Sequence, residues 1–322
     1  LFFKQGFIIM PIFDINNNLQ LHTVQKTNFP LEKDLQTLIE NNLITVFNCR
    51  FIASEFSTGA IHAGRIDTLA LSEDNNPVII EYKKVESSEL ITQSLFYLHW
   101  IQDHKGDFEI AAQKVLGNNI EIDWSDIRVI CIAPNYKKYD LHAVQVMGAN
   151  IELWRYQLFS NQSLYLEEVF HNTTSNTPVT LNQTAKNPVM VAAGKKAAIT
   201  RNIGQYTIES HLQNKSKEVI ELMEALQDMI MGFDDSIEEI PKKYYIAYKS
   251  TQNILTVEVR LRNLKIYLKL KPEDIPVNTP NYRDVSNIGH HGIGDVEFTI
   301  TNLNELIDTK PFIELAYNRI GG

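Results

Sequence analysis

Only two cysteines, Cys49 and Cys131, occur in 322 residues. Two scattered thiols give no disulfide framework and none of the paired spacings that hold zinc. Cys131 lies inside the apolar run "VICIAP" and reads as a small buried hydrophobe. Such sparse cysteine is what a reducing cytoplasm permits, so a cytoplasmic protein is expected. Long apolar runs are also missing: none approaches the ~18 residues of a membrane span. The opening "LFFKQGFIIMPIFDI" is apolar but lacks a cleavage site of small residues, so no signal peptide is expected, and Met10 reads as the natural start with residues 1–9 an upstream extension. An excess of positive charge is absent as well, with 30 Lys and Arg against 39 Asp and Glu and a net charge of −9. That balance argues against a protein that coats nucleic acid indiscriminately and leaves room for a local basic groove. No glycine-rich nucleotide loop and no internal repeat is visible, so any ATP dependence would come from a partner.

What is present suffices for two domains, since 44% of the residues are hydrophobic. Residues 1–170 read as an α/β domain. "NFPLEKDLQTLIENNLITVF" predicts a helix with Asn28 as cap, Pro30 in its first turn and Leu31, Leu35, Leu38, Ile39 and Val46 on one face. Glu32 borders that face and Glu40 lies nearly opposite. Strands follow at "RFIASEFST", "RIDTLALS" and "PVIIEYKK", the last two joined as a hairpin across "EDNN". "SSELITQSLFYLHWIQDHK" and "FEIAAQKVLG" read as helices, "IRVICIAP" as a buried strand, "YDLHAVQVMG" as helix, and "NIELWRYQLF" and "SLYLEEVF" as closing strands. Residues 171–206 are rich in Asn, Thr, Ala and Lys and read as a linker. Residues 207–322 predict a smaller α+β domain: an amphipathic helix, an antiparallel sheet and a closing helix.

The chemistry gathers at the hairpin. Strand side chains alternate, so in "VIIEYKK" Glu81 and Lys83 share a face and Tyr82 takes the other. Asp67 begins the preceding strand, and antiparallel pairing brings it toward Glu81 at one edge of the sheet. Two carboxylates on adjacent strands are hard oxygen ligands suited to Mg²⁺ or Mn²⁺, with the Ile80 or Tyr82 backbone carbonyl as a further donor. Lys83 is placed to hold a water or to stabilise developing negative charge. The bland alternative for any E-x-K in a strand is an exposed salt bridge of little consequence.

Asp67 followed by Glu81-Tyr82-Lys83 on the next strand resembles the PD-(D/E)XK nuclease superfamily, with Ile66 in place of the motif's proline. More narrowly, "PLEKDLQTLIENNL", "GRIDTLAL", "VIIEYKK" and "ICIAPNY" look like the NucS-type endonuclease domain, over residues 28–170. The resemblance implies a restriction-endonuclease-like fold, a mixed sheet flanked by helices. It adds Glu32 on the first helix, and Gln93 and Tyr97 as the Gln-x-x-x-Tyr pair of RecB-like members. It also implies Mg²⁺- or Mn²⁺-dependent hydrolysis of DNA in defence, repair or restriction, with RNA left open. Cutting two strands takes two sites, so a homodimer is a natural assembly, although no residue pattern specifies it. The competing expectation is a nucleic-acid- or protein-binding module on an inactive nuclease fold.

Arg65, beside Asp67, is a candidate for contacting phosphate or for bracing a carboxylate. His62 lies in a loop expected to border the site. In the second domain Lys265, Tyr267, Lys269 and Lys271 share one strand face, and Arg260 and Arg262 share a face of the strand before. Such a face either tracks a phosphate backbone, with Lys265 and Lys269 as its contacts, or is simply a solvated outer surface. "GHHGIGD" reads as a tight glycine loop whose adjacent histidines point opposite ways and so do not share one metal. This part of the chain resembles an uncharacterised domain found fused to such nucleases, which suggests substrate or partner recognition.

Overall fold

A computed structural model describes residues 11–59, 64–147, 150–170, 206–234 and 236–320. The proposed upstream extension 1–9, His62 and nearly all of the proposed linker lie outside the described residues. The chain divides into two compact units, one of residues 1–71 and 75–200, the other of residues 72–74 and 201–322.

In the first unit the described elements run β1 (Phe13–Ile15), β2 (Leu21–Thr23), β3 (Lys26–Thr27), α1 (Glu32–Glu40), α2 (Leu43–Phe47), β4 (Cys49–Ser57), β5 (Arg65–Ser72), β6 (Pro77–Tyr82), α3 (Glu89–Asp103), α4 (Lys105–Leu116), β7 (Arg128–Ala133), α5 (Lys138–Met147), β8 (Ile151–Phe159) and β9 (Leu164–Phe170). The main sheet has the order β3-β8-β7-β6-β5-β4, with β9 added on β8. It is mixed: β5 and β6 pair antiparallel, whereas β6, β7 and β8 are parallel. Parallel strands need crossovers, and α3–α4 and α5 provide them.

Both faces of this sheet are covered. Leu69, Ile79, Val129 and Cys131 pack with Leu90, Trp100 and Phe108 on one side. Ala70, Val78, Ile80 and Ile130 pack with Leu35, Ile39 and Phe47 on the other. Strands buried on both faces need apolar side chains at every position, which explains the unbroken runs "VII" and "VICIA".

The first helix departs from the sequence expectation. It starts two residues after Pro30, with Leu31 in the cap position and the Asp34 carboxylate accepting the Leu31 N–H at 2.9 Å. Asn28 is not the cap. The helix then breaks at Asn41–Asn42; within it Leu35 and Ile39 are buried, whereas Leu38, and Leu31 at the cap, stay exposed.

The second unit holds α6 (Ile208–Leu212), α7 (Lys217–Met231), β10 (Glu238–Pro241), β11 (Ile246–Lys249), β12 (Asn253–Val259), β13 (Leu264–Leu268), β14 (Tyr282–Asp284), β15 (Val296–Ile300) and α8 (Leu303–Arg319). The six strands among its described residues form an antiparallel sheet ordered β10-β11-β12-β13-β15-β14. Helices α7 and α8 cover one face through Leu222, Leu226, Ile313 and Ala316. The other face is not the solvated surface expected of a two-layer domain, because Thr256, Glu258, Tyr267 and Glu297 on it are all buried. The loop after β14 lies across them. Gly292 permits this approach, since a Cβ there would sit 2.1 Å from the Tyr267 ring.

Candidate active site

The site forms where β5 and β6 part. Their register pairs Thr68 with Ile80 and Leu69 with Ile79, which leaves Asp67 opposite Glu81 at the open end. The ladder there is replaced by side chains. The Asp67 N–H donates to Glu81 Oε1 at 3.0 Å, and the Tyr82 N–H donates to Asp67 Oδ2 at 3.0 Å. Each carboxylate therefore caps backbone belonging to the other's strand, and the two acids are locked side by side.

Glu81 is fully buried. Its Oε2 has no hydrogen-bond partner among the described residues. Burial, reinforced by the charge of Asp67, pushes its pKa up to about 9. Burial also raises Asp67, and the Tyr82 N–H and the Lys83 ammonium offset this only in part. Two adjacent acids with an orphaned oxygen are costly without a cation or a shared proton.

Lys83 leaves the sheet at the same end, its N–H donating to the Ile132 carbonyl at 2.9 Å. Its ammonium donates to Glu32 Oε1 at 3.4 Å, with side-chain exposures of 22% and 39%. Glu32 Oε2 accepts the Lys84 N–H at 2.8 Å, which fixes the start of α1 against the end of β6. Glu32, Asp67, Glu81 and Lys83 are thus joined through the end of one strand pair. The Tyr82 side chain turns to the opposite face, where its hydroxyl meets Thr68 at 3.3 Å; only its backbone belongs to the site.

Gln93 and Tyr97 sit one turn apart on α3, and Gln93 Nε2 donates to the Tyr97 hydroxyl at 3.0 Å. That hydroxyl also accepts the Arg65 N–H at 3.1 Å. Tyr97 is buried, so the pair anchors the first residue of β5, two places before Asp67. Gly64 makes room for it, because a Cβ there would come within 2.9 Å of the Tyr97 ring. The Arg65 guanidinium braces Glu55 Oε2 at 2.5 Å. Lys265 and Lys269 belong to the other unit. Lys265 is held by both oxygens of Glu297 at 2.9 and 3.0 Å, and Lys269 donates to Gln252 at 2.5 Å.

Three contributors, Gln36, Glu40 and Glu55, are not marked by the sequence pattern. Gln36 is buried and donates to the Asp67 carbonyl at 2.7 Å, to Glu40 at 2.9 Å and to Ser54 at 3.1 Å. Glu40 accepts from Thr68 at 2.7 Å, so it faces the sheet and not solvent. Glu55 sits on β4 at φ 54, a left-handed conformation rare for a non-glycine residue, and its charge reaches Asp67. A glutamine one place along from Leu35 in a buried helical stripe is the one signal that pointed to this network.

The donor set fits a hard divalent cation. It comprises two carboxylates locked side by side, one with an unpaired buried oxygen. Among the described residues no three His, Cys, Asp or Glu side chains form a ready cage. Mg²⁺ needs none, since it commonly keeps several waters and takes one or two carboxylates.

A protein of Haemophilus influenzae described as an uncharacterized protein is 33% identical over 293 residues, which span 89% of this chain and 93% of the relative. The chain belongs to that protein's family. Residues 208–319 also match a family described as a domain of unknown function, DUF5655. Among solved structures, the chain is similar to a repair endonuclease from Pyrococcus abyssi, at 19% identity and a TM-score of 0.22, over 41% of this chain and 49% of that one. It is similar too to EndoMS in a complex with double-stranded DNA, at 18% identity and a TM-score of 0.23, over 40% of this chain and 47% of that one. The chain spans about half the length of these two structures. No helix among the described residues is long and apolar enough to cross a membrane.

Proposed function

We propose that the first unit is a divalent-metal-dependent endonuclease that hydrolyses phosphodiester bonds in DNA. The observation that carries this reading is the locked pair Asp67 and Glu81, with an orphaned carboxylate oxygen, beside Lys83. An exposed structural salt bridge would bury neither acid.

In this reading Asp67 and Glu81 hold Mg²⁺ or Mn²⁺, with the Tyr82 or Ile80 carbonyl as a further donor. When bound, the cation supplies charge neutralisation at the phosphate and a more acidic water. Lys83 Nζ orients the attacking water and donates to the phosphoryl oxygen that gains negative charge during in-line attack. Glu32 Oε1 keeps that ammonium in place and positions a neighbouring water. Gln36, Gln93 and Tyr97 act through backbone: they hold the two ends of the short segment that carries Asp67.

The test is cleavage of single-stranded, duplex and branched DNA with Mg²⁺, Mn²⁺ or EDTA, beside Lys83→Ala. The pair with Glu32 is partly exposed, so losing it costs at most about 1 kcal/mol of stability. Cleavage should be metal-dependent and should fall by at least about a hundredfold in the variant, the scale on which single groups stabilise developing charge. Retained cleavage in Lys83→Ala removes the assignment. Binding without cleavage under every metal would favour a recognition module on an inactive fold.

A further inference from the structure

The second unit carries a cavity of about 510 Å³ on the sheet face away from its helices. Its floor follows from the register. Arg283 pairs with Glu297, Glu297 with Tyr267, and Tyr267 with Thr256, one row across four strands. Lys265 and Glu258 pair in the neighbouring row. Alternation sends all of these side chains to one face, and the loop through His290 and His291 closes over them.

Two buried polar atoms lining this cavity lack hydrogen-bond partners among the described residues: Glu258 Oε1 and His290 Nδ1. Glu258 is 3% exposed. Its other oxygen is taken by Arg260, and Glu297 is taken by Lys265. Arg283 lines the cavity from β14, is exposed, and forms no ion pair among the described residues. The His290 ring stacks on Tyr267 at 4.6 Å and 13°, and His291 stacks on Tyr244 at 4.1 Å and 21°.

These features constrain the ligand. A carboxylate oxygen accepts only, so the occupant must bring an N–H or O–H to Glu258. The lining holds three permanent cations, Arg260, Lys265 and Arg283, against two carboxylates, Glu258 and Glu297, so the occupant must also bring negative charge. Inorganic phosphate brings negative charge and a P–OH donor but no flat face for the stacked rings, and a metal cation brings neither negative charge nor an N–H or O–H donor. Flat rings at the wall favour a flat partner, and the volume lies in the range of small-molecule sites. We propose that this cavity binds a single nucleotide through an amino-bearing base: the exocyclic amine donates to Glu258, the ring lies against the Tyr267 and His290 wall, and the phosphate meets Arg283. The nucleotide is either free or an unpaired residue of a nucleic-acid strand.

The test is calorimetric titration of the full chain with GMP, AMP, CMP and UMP, inorganic phosphate, free arginine, and a short single-stranded oligonucleotide. The readout is heat of binding, so it is independent of whether the other unit cleaves DNA. At least one amino-bearing nucleotide should bind about tenfold more tightly than UMP or phosphate. Glu258→Gln should weaken it about tenfold, the difference between a charged and a neutral acceptor. Arg283→Ala should weaken it similarly and reduce its salt dependence; because Arg283 is exposed, this variant remains informative even if Glu258→Gln fails to fold. Tighter binding of the oligonucleotide that Arg283→Ala weakens identifies a strand as the source, since binding to the first unit would not respond to this variant, and tighter binding of the mononucleotide identifies a free metabolite. No nucleotide binding at millimolar concentration, equal binding of phosphate, stronger binding of arginine, or wild-type affinity in folded variants would each overturn the proposal.

Discussion

Glu81→Gln should stabilise the metal-free protein at neutral and alkaline pH, although it removes a candidate metal ligand. Burial and the neighbouring Asp67 charge raise the Glu81 pKa from an ordinary 4.5 to about 9. The native state therefore binds this proton more tightly than the unfolded chain does. The group's contribution is fully present below pH 4.5, declines as pH rises, and is gone once pH passes about 9. At pH 7 about 2.5 pH units have been crossed, each worth about 1.4 kcal/mol, so roughly 3 kcal/mol has been lost. Glutamine keeps the oxygen that accepts the Asp67 N–H. It also places an amide N–H₂ where Oε2 has no partner, which costs about 1–2 kcal/mol. The net gain at pH 7 is then about 1–2 kcal/mol, or a few degrees in Tm. Denaturant unfolding in EDTA at pH 4.5, 7 and 8.5 measures it. The gain should vanish or reverse at pH 4.5 and grow with pH. Added Mg²⁺ should stabilise the parent protein by mass action and the variant much less. A loss of stability that is the same at all three pH values would refute the argument, because it would mean that Glu81 carries no charge-related penalty.

Three further outcomes follow from the same geometry. Tyr97→Phe strands the Arg65 N–H and the Gln93 amide, so it should cost about 1–2 kcal/mol in denaturant unfolding and lower cleavage with little change in substrate affinity. Gly64→Ala forces a Cβ against the Tyr97 ring; it should cost about 1–3 kcal/mol, and the Tyr97→Phe background, which keeps the ring, should not relieve it. Glu152→Gln breaks a buried pair in which Arg128 is held through two nitrogens, with Trp154 donating to the same carboxylate at 3.0 Å. It should cost about 3–5 kcal/mol by leaving Arg128 uncompensated, and a loss below about 1 kcal/mol would show that the pair is solvated.

The elements of the first unit were legible because their signals are local. Unbroken apolar runs marked the central strands, "EDNN" marked the hairpin turn, and alternation put Glu81 and Lys83 on one face. The break between α1 and α2 was not legible, because Leu31, Leu35, Leu38, Ile39 and Val46 satisfy one helical stripe whether or not the chain bends at Asn41. Nor was the direction of Glu40: a helical wheel places it opposite the core, yet the β5 hydroxyl of Thr68 reaches it. In the second unit the alternation of Lys265 and Tyr267 against Ile266 and Leu268 is local and legible, but the strand ends at Leu268, short of Lys269 and Lys271, and the covering of its polar face is not legible. That covering depends on a loop some twenty residues later in the chain, whose contact with Tyr267 no local pattern announces.

By itself, then, the sequence determined which residues carry charge at the end of a buried hairpin, and with them the chemistry open to this protein. Only tertiary structure decided what those charges meet. Whether a carboxylate is a solvated ornament or a strained ligand depends on burial and partners, which are set by elements distant in sequence. Asp67 and Glu81 are locked by each other's backbone, and Lys83 is met by Glu32 from 51 positions earlier. Glu258 is deprived of a second partner by a cavity that the sheet register builds across four strands. Coulomb energy depends on distance and dielectric, and both are properties of the fold.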